Sequence, residues 1–281
     1  MDSLVTTEWL AGEVGASDLR IVDASQHLPD ARRDARAEYE AAHIPGAVFM
    51  DLGDLIDSAA PIANTLPNAE KFASRMMSLG LGDGSRIVLY DDSAVKTSAR
   101  AWFMLKMFGA NHVAILDGGL AKWKAEARPL ASGVEKLRNR HFTAWSDKAR
   151  LRDKDQVLAN IANKNAQLVD ARGAGRWSGA EADSRPNVAS GHIPGSLNVP
   201  YSSLYNPDGT FKDKAGLVAA FAAGGVDLTK PVITSCGRGV TACVLLFALH
   251  LLGKEDTALY DGSWTEWGAD PKTPKAVKAP A

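Results

Sequence analysis

The chain has 281 residues, 46% of them hydrophobic, with 32 basic and 33 acidic side chains and a formal net charge of -1. That length fits about two domains of roughly 150 residues each, and the balanced charge offers nothing to nucleic acid or an anionic membrane. No apolar run reaches the roughly 18 residues of a membrane helix, because the longest, within 240–252, is broken by Thr241 and His250.

An N-terminus carrying Asp2 and Glu8, with no basic region before an apolar stretch, fits neither a secretory signal nor a transit peptide. The two cysteines, Cys236 and Cys243, make neither a disulfide framework nor a zinc cluster. A cytoplasmic protein of a reducing compartment is expected, with a thiol free for chemistry.

In chain order, short β runs alternate with helical patterns. In the first half 20–23, 47–50, 86–90 and 112–116 read as strands. Segment 68–79 reads as a helix with Phe72, Met76 and Leu79 at helical spacing, and 94–108 as another, N-capped by Ser93 and closed by Gly109. Segment 131–152 reads as an extended linker. The second half has strands at 167–170, 197–199, 232–235 and 258–260, and helices at 213–223 and 240–252. The tail, 271–281, with Pro271, Pro274 and Pro280, lacks apolar periodicity and is expected to be loosely held. Strand–helix alternation with short connections predicts an α/β architecture, a mainly parallel sheet covered by helices on both faces.

The halves repeat one another. Ile21-Val22-Asp23-Ala24 and His43-Ile44-Pro45-Gly46 return as Leu168-Val169-Asp170-Ala171 and His192-Ile193-Pro194-Gly195. Leu116-Asp117-Gly118-Gly119, ahead of Trp123, returns as Tyr260-Asp261-Gly262-Ser263, ahead of Trp267. Such a period is far longer than a solenoid unit and marks a duplicated domain.

The halves differ at one loop. In the second, Cys236-Gly237-Arg238-Gly239-Val240-Thr241 follows a strand and opens a helix. Backbone N–H groups there, with the positive end of the helix dipole, favour a thiolate and hold an anion. Cys236 is the candidate nucleophile, and Gly237 to Thr241 the candidate anion cradle. Counting from the tryptophans places Asp92 opposite Cys236, so the first half has an acid where the second has a thiol. Cys243 reads as a buried core thiol, His43 and His192 as turn braces, and Asp23 and Asp170 as loop-bracing acids.

A tandem of His-Ile-Pro-Gly units with Cys-Gly-x-Gly-Val-Thr only in the second resembles two-domain rhodanese-type sulfurtransferases. The resemblance implies tandem rhodanese-like domains, 1–130 without catalysis and 153–270 with it. It implies a persulfide carried on Cys236, no metal or organic cofactor, and a small-molecule sulfur donor, either 3-mercaptopyruvate or thiosulfate. It further implies an acceptor that is a thiol, thioredoxin or cyanide.

Gly237 matches the mercaptopyruvate pattern. Arg238 stands where that pattern has a hydroxyl and the thiosulfate pattern a lysine, so a hydroxyl-based proton relay cannot run here. Arg176 and Arg185 match the arginines that hold the carboxylate and carbonyl oxygens of mercaptopyruvate, although Glu181 and Asp183 are near enough in sequence to pair with them instead. A phosphatase loop needs an arginine six positions after its cysteine, where this chain has Ala242. The other competing class is a non-catalytic sulfur-binding module.

Overall fold

One strand order is built twice. The computed structural model describes residues 1–136 and 138–278. The first half contains β1 (Leu4–Val5), α1 (Thr7–Glu13), β2 (Leu19–Asp23), α2 (Ala35–Ala41), β3 (Ala47–Phe49), α3 (Ala69–Ser78), β4 (Arg86–Tyr90), α4 (Ser98–Met107), β5 (Val113–Leu116) and α5 (Gly119–Ala125). The second contains β6 (Leu151–Arg152), α6 (Lys154–Asn163), β7 (Gln167–Asp170), α7 (Ala174–Ser178), β8 (Leu197–Asn198), α8 (Lys214–Ala223), β9 (Val232–Ser235), α9 (Ala242–Leu251), β10 (Thr257–Tyr260) and α10 (Ser263–Trp267). The sheets run β1-β5-β4-β2-β3 and β6-β10-β9-β7-β8, all pairs parallel. Two compact units result. The first comprises Met1–Asp57, Leu66–Asp147 and Asn206–Phe211, and the second Ser58–Thr65, Lys148–Tyr205 and Lys212–Ala281.

The expected long strands and the helices α3 and α8 lie within a residue or two of their predicted bounds. The helices after β4 and β9 start later than predicted. α4 begins at Ser98, and Ser93 does not cap it. Its hydroxyl instead accepts from Gln26 N at 2.9 Å and meets Thr97 Oγ1 at 2.8 Å. α9 begins at Ala242, which leaves Val240 and Thr241 in the loop. α9 is buried along Ala242 to Leu249, as its all-round apolar sequence requires. The second core packs Val157, Leu168, Ile193, Ile233, Tyr260, Trp264 and Trp267 together. Among the described residues, no helix is long and apolar enough to cross a membrane.

The described part of the tail, 271–278, is not loose. Trp267 donates its indole N–H to Pro274 O at 2.7 Å, and His192 and Ala276 exchange backbone bonds of 2.8 and 2.9 Å. Lys278 N reaches Ser178 O at 2.9 Å, on α7; Pro280 lies outside the described residues. The first unit closes in the same way, with Trp123 donating to Pro129 O at 2.8 Å and His43 pairing with Ala131. Each domain therefore ends in a strap that a tryptophan and a histidine turn hold. Such a strap has no apolar period, so its order comes from backbone pairing that composition cannot reveal. The beginning of 131–152 belongs to the first strap, and its end is β6, an edge of the second sheet.

Removing residues 274–281 deletes four backbone or indole hydrogen bonds, each about 1 kcal/mol net. The shortened chain is expected to lose about 4 kcal/mol in denaturant unfolding of the second unit. An unchanged midpoint would show the strap to be passive.

Candidate active site

Cys236 sits where parallel sheets bind ligands. β7 and β9 are neighbours whose last residues, Asp170 and Ser235, are register partners, and the chain leaves them in opposite directions, to β8 and to β10 beyond. The crevice at the carboxyl ends of such strands is the usual ligand position in open α/β sheets. Cys236 is the next residue after β9 and is 1% exposed.

Protein donors take up the carbonyls of the loop that begins there. Trp264 N donates to Cys236 O and Thr265 N to Gly237 O, both at 2.9 Å. Gly237 O also accepts from Thr265 Oγ1 at 2.6 Å and from Arg185 Nη1 at 3.0 Å. Asn64 Nδ2 donates to Arg238 O at 2.9 Å, and the Cys243 thiol to Gly239 O at 3.2 Å. Cys243 N and Val244 N take Val240 O and Thr241 O at 3.0 and 3.1 Å. In a trans peptide the N–H lies opposite the carbonyl, so fixing the carbonyls on one side presents the N–H groups on the other. Among the described residues, the N–H groups of Gly237, Arg238, Val240, Thr241 and Ala242 have no protein partner. They begin at the N-terminal end of α9, which favours negative charge.

Below the loop, Ser263 Oγ accepts from Cys236 N at 3.1 Å and donates to Tyr260 O at 2.9 Å. Asp170 is bound by the buried Arg172 guanidinium through Nε at 3.0 Å and Nη2 at 2.7 Å. Arg172 also reaches Gly191 O at 2.8 Å and lies 4.6 Å over the Trp264 ring. Asp170 and His192 are braces, as expected; His192 Nδ1 is 2.8 Å from Trp177 O, with its ring stacked on Trp177. His43 matches it in the first unit, 2.7 Å from Tyr39 O. Cys243 is fully buried, as expected of a core thiol.

The two candidate arginines share one acid. Asp183, its side chain 2% exposed, accepts from Arg185 Nε and Nη2 and from Arg176 Nη2, each at 2.7 Å. Burial pushes the Asp183 carboxyl up, but bonds from Arg185 and then Arg176 outweigh it and hold the group well below the usual carboxylate range. Arg185 also donates to Thr265 Oγ1 through the Nη1 that binds Gly237 O. Its fork is thus largely committed to protein, with one Nη2 N–H to spare. Arg176, 36% exposed at its side chain, keeps the rest of its fork open. Arg238 is exposed.

The first unit closes its own cradle. Strand register pairs Asp23 with Tyr90 and Asp170 with Ser235, so the residue opposite Cys236 is Asp91, not Asp92. The bonds agree, since Leu120 N takes Asp91 O as Trp264 N takes Cys236 O. Counting back from the tryptophans misses this because the first loop, 91–97, is one residue longer than 236–241. The Asp91 carboxylate accepts from Ser93 N and Ser98 N, each at 2.8 Å, so an internal anion fills the loop.

A search against family models matches the Rhodanese-like domain at residues 6–126 and again at 153–270. The chain belongs to the rhodanese-like family. It is 38% identical to a mouse protein named 3-mercaptopyruvate sulfurtransferase, over 94% of this chain and 91% of the other. It is 40% identical to a bovine protein named thiosulfate sulfurtransferase, over the same shares. The crystal structure of SseA from Escherichia coli, described as a 3-mercaptopyruvate sulfotransferase with the rhodanese fold, superposes with a TM-score of 0.86 at 38% identity, covering 94% of this chain and 99% of that one. Similar identity to both kinds of relative leaves donor choice to the site residues.

Four residues that shape this rhodanese-like site escape a reading of the sequence alone: Asn64, Asp183 in its double role, Ser263 and Thr265. Ser263 does carry a signal, for its place in the first half is Gly119. The halves therefore differ by a hydroxyl under the cysteine as well as by the cysteine.

Because the folded Asp183 carboxyl titrates below its unfolded value, its contribution is full above pH ~4 and is lost as the pH falls below that. The stability gap between the native protein and Asp183→Asn should shrink below pH ~4 by up to about 1.4 kcal/mol per pH unit. Denaturant midpoints at pH 7, 5 and 3 check this; a gap independent of pH would contradict it.

Proposed function

We propose that the protein is a 3-mercaptopyruvate sulfurtransferase in which Cys236 carries the sulfur. The observation that carries the reading is a buried cysteine whose loop carbonyls are all held by protein donors, leaving the N–H groups for an anion, beside the half-open Arg176 fork. A guanidinium fork matches a carboxylate in bidentate fashion and stays charged. Arg176 grips the substrate carboxylate, and the spare N–H of Arg185 turns to the carbonyl oxygen.

The Cys236 thiolate attacks the substrate sulfur. A new S–S bond forms as the C–S bond breaks, and its electron pair leaves on pyruvate enolate, which takes a proton at carbon. Covalent capture divides the transfer into two steps. The loop N–H groups of Gly237, Arg238, Val240 and Thr241 stabilise the negative charge on sulfur. A thiol such as reduced thioredoxin, or cyanide, then attacks the outer sulfur and releases the Cys236 thiolate. The persulfide is its own carrier, so the route uses no metal or organic cofactor. A cytoplasmic, reducing setting suits it.

Thiosulfate is the second reading, favoured by one observation: the exposed Arg238 adds a cation at the loop. With cyanide as acceptor, kcat/KM for 3-mercaptopyruvate is expected to exceed that for thiosulfate at least about tenfold, a difference of about 1.4 kcal/mol in transition-state stabilisation. Equal or reversed values would reject the donor assignment. Cys236→Ser is expected to abolish transfer from both donors. Transfer that survives the exchange would reject the mechanism.

A further inference from the structure

Asp183 does more than the sequence suggests of a loop acid. Its side chain is enclosed and ionised, and among the described residues it joins the half-open Arg176 guanidinium to the Arg185 guanidinium that holds the Gly237 carbonyl. We propose that Asp183 is the residue that sets donor preference, by fixing the angle of the Arg176 fork and by cancelling one of the two arginine charges.

The inference rests on the reading of the site as one that binds a carboxylate-bearing sulfur donor. Two arginines and one aspartate leave one net positive charge. That matches the single carboxylate of 3-mercaptopyruvate and undercharges the site for thiosulfate, a dianion. Glu181 and Arg238 are exposed, where solvent and salt screen them. Asp183 is screened least, because its side chain is 2% exposed.

Orientation works in the same direction. Asp183 takes Arg185 through two donors and Arg176 through one, so the Arg176 plane is held at Nη2 while the rest of the fork stays open. A planar carboxylate needs that fixed plane for two parallel bonds. Thiosulfate oxygens, arranged tetrahedrally, need it less. Asp183 is thus a positioning residue that acts through Arg176 and is not itself in the reaction.

The test compares Asp183→Asn, Asp183→Ser and Asp183→Glu with the native enzyme, using 3-mercaptopyruvate and thiosulfate with cyanide as acceptor. The readout is the ratio of kcat/KM for the two donors, which cancels any loss of folded enzyme. Asp183→Asn and Asp183→Ser should lower the mercaptopyruvate-to-thiosulfate ratio by about tenfold or more, raising KM for the first and lowering it for the second. Asp183→Glu, which keeps the charge, should hold the ratio within about threefold. If Asp183→Asn or Asp183→Ser changes both donors equally, or if Asp183→Glu shifts the ratio as far as they do, the proposal is overturned. A native enzyme that prefers thiosulfate would reject the functional reading, while the direction of the Asp183→Asn shift would still judge this inference.

Discussion

The Gly237 carbonyl is the constraint on which the rest of the site depends. Thr265 holds it by backbone and hydroxyl, and Arg185 by Nη1. With that oxygen fixed, the following N–H must face the other way, because the peptide is planar and trans. Trp264, Asn64 and Cys243 do the same at Cys236, Arg238 and Gly239. The proposed anion cradle is made by occupying carbonyls, and its donors are those left over. Bonds on the far side of each peptide fix the direction of its N–H, so the orientation of these donors does not depend on a substrate. Such preorganisation is what makes backbone donors effective at a developing charge.

The duplicated domain serves as a built-in control. Both units have the same strand order, the same histidine brace and the same tryptophan-held strap. At the site they part at Cys236 against Asp91, at Ser263 against Gly119, in the length of the loop, and in the arginine cluster on Asp183. At Asp91 the loop N–H groups find an internal carboxylate. The first unit shows what this loop becomes when its anion is part of the chain, and why an acid there ends anion binding.

Much of this was legible in the sequence. Apolar β runs and the repeated His-Ile-Pro-Gly turn pointed to a duplicated α/β fold, and Cys236 before a glycine-containing turn pointed to the candidate nucleophile. Helix starts were misplaced at Ser93 and Val240 because helix-compatible residues run back into both loops, where hydrogen bonds to distant chain decide the conformation. Asn64 contacts Arg238 across 174 positions and carries no local pattern. Asp183 could be suspected of an ion pair from its spacing, but only the folded site shows that it serves two arginines with unequal numbers of bonds. The straps after α5 and α10 looked like linker and tail because backbone pairing leaves no mark on composition.

The central claim is that sulfur passes through a covalent bond to Cys236. The most direct measurement is intact-protein and peptide mass spectrometry after brief exposure to 3-mercaptopyruvate without an acceptor. The account predicts a gain of one sulfur atom, located on the peptide that contains Cys236, lost on adding cyanide and absent in Cys236→Ser. Pyruvate release with no sulfur on that peptide, or sulfur on Cys243 instead, would contradict it.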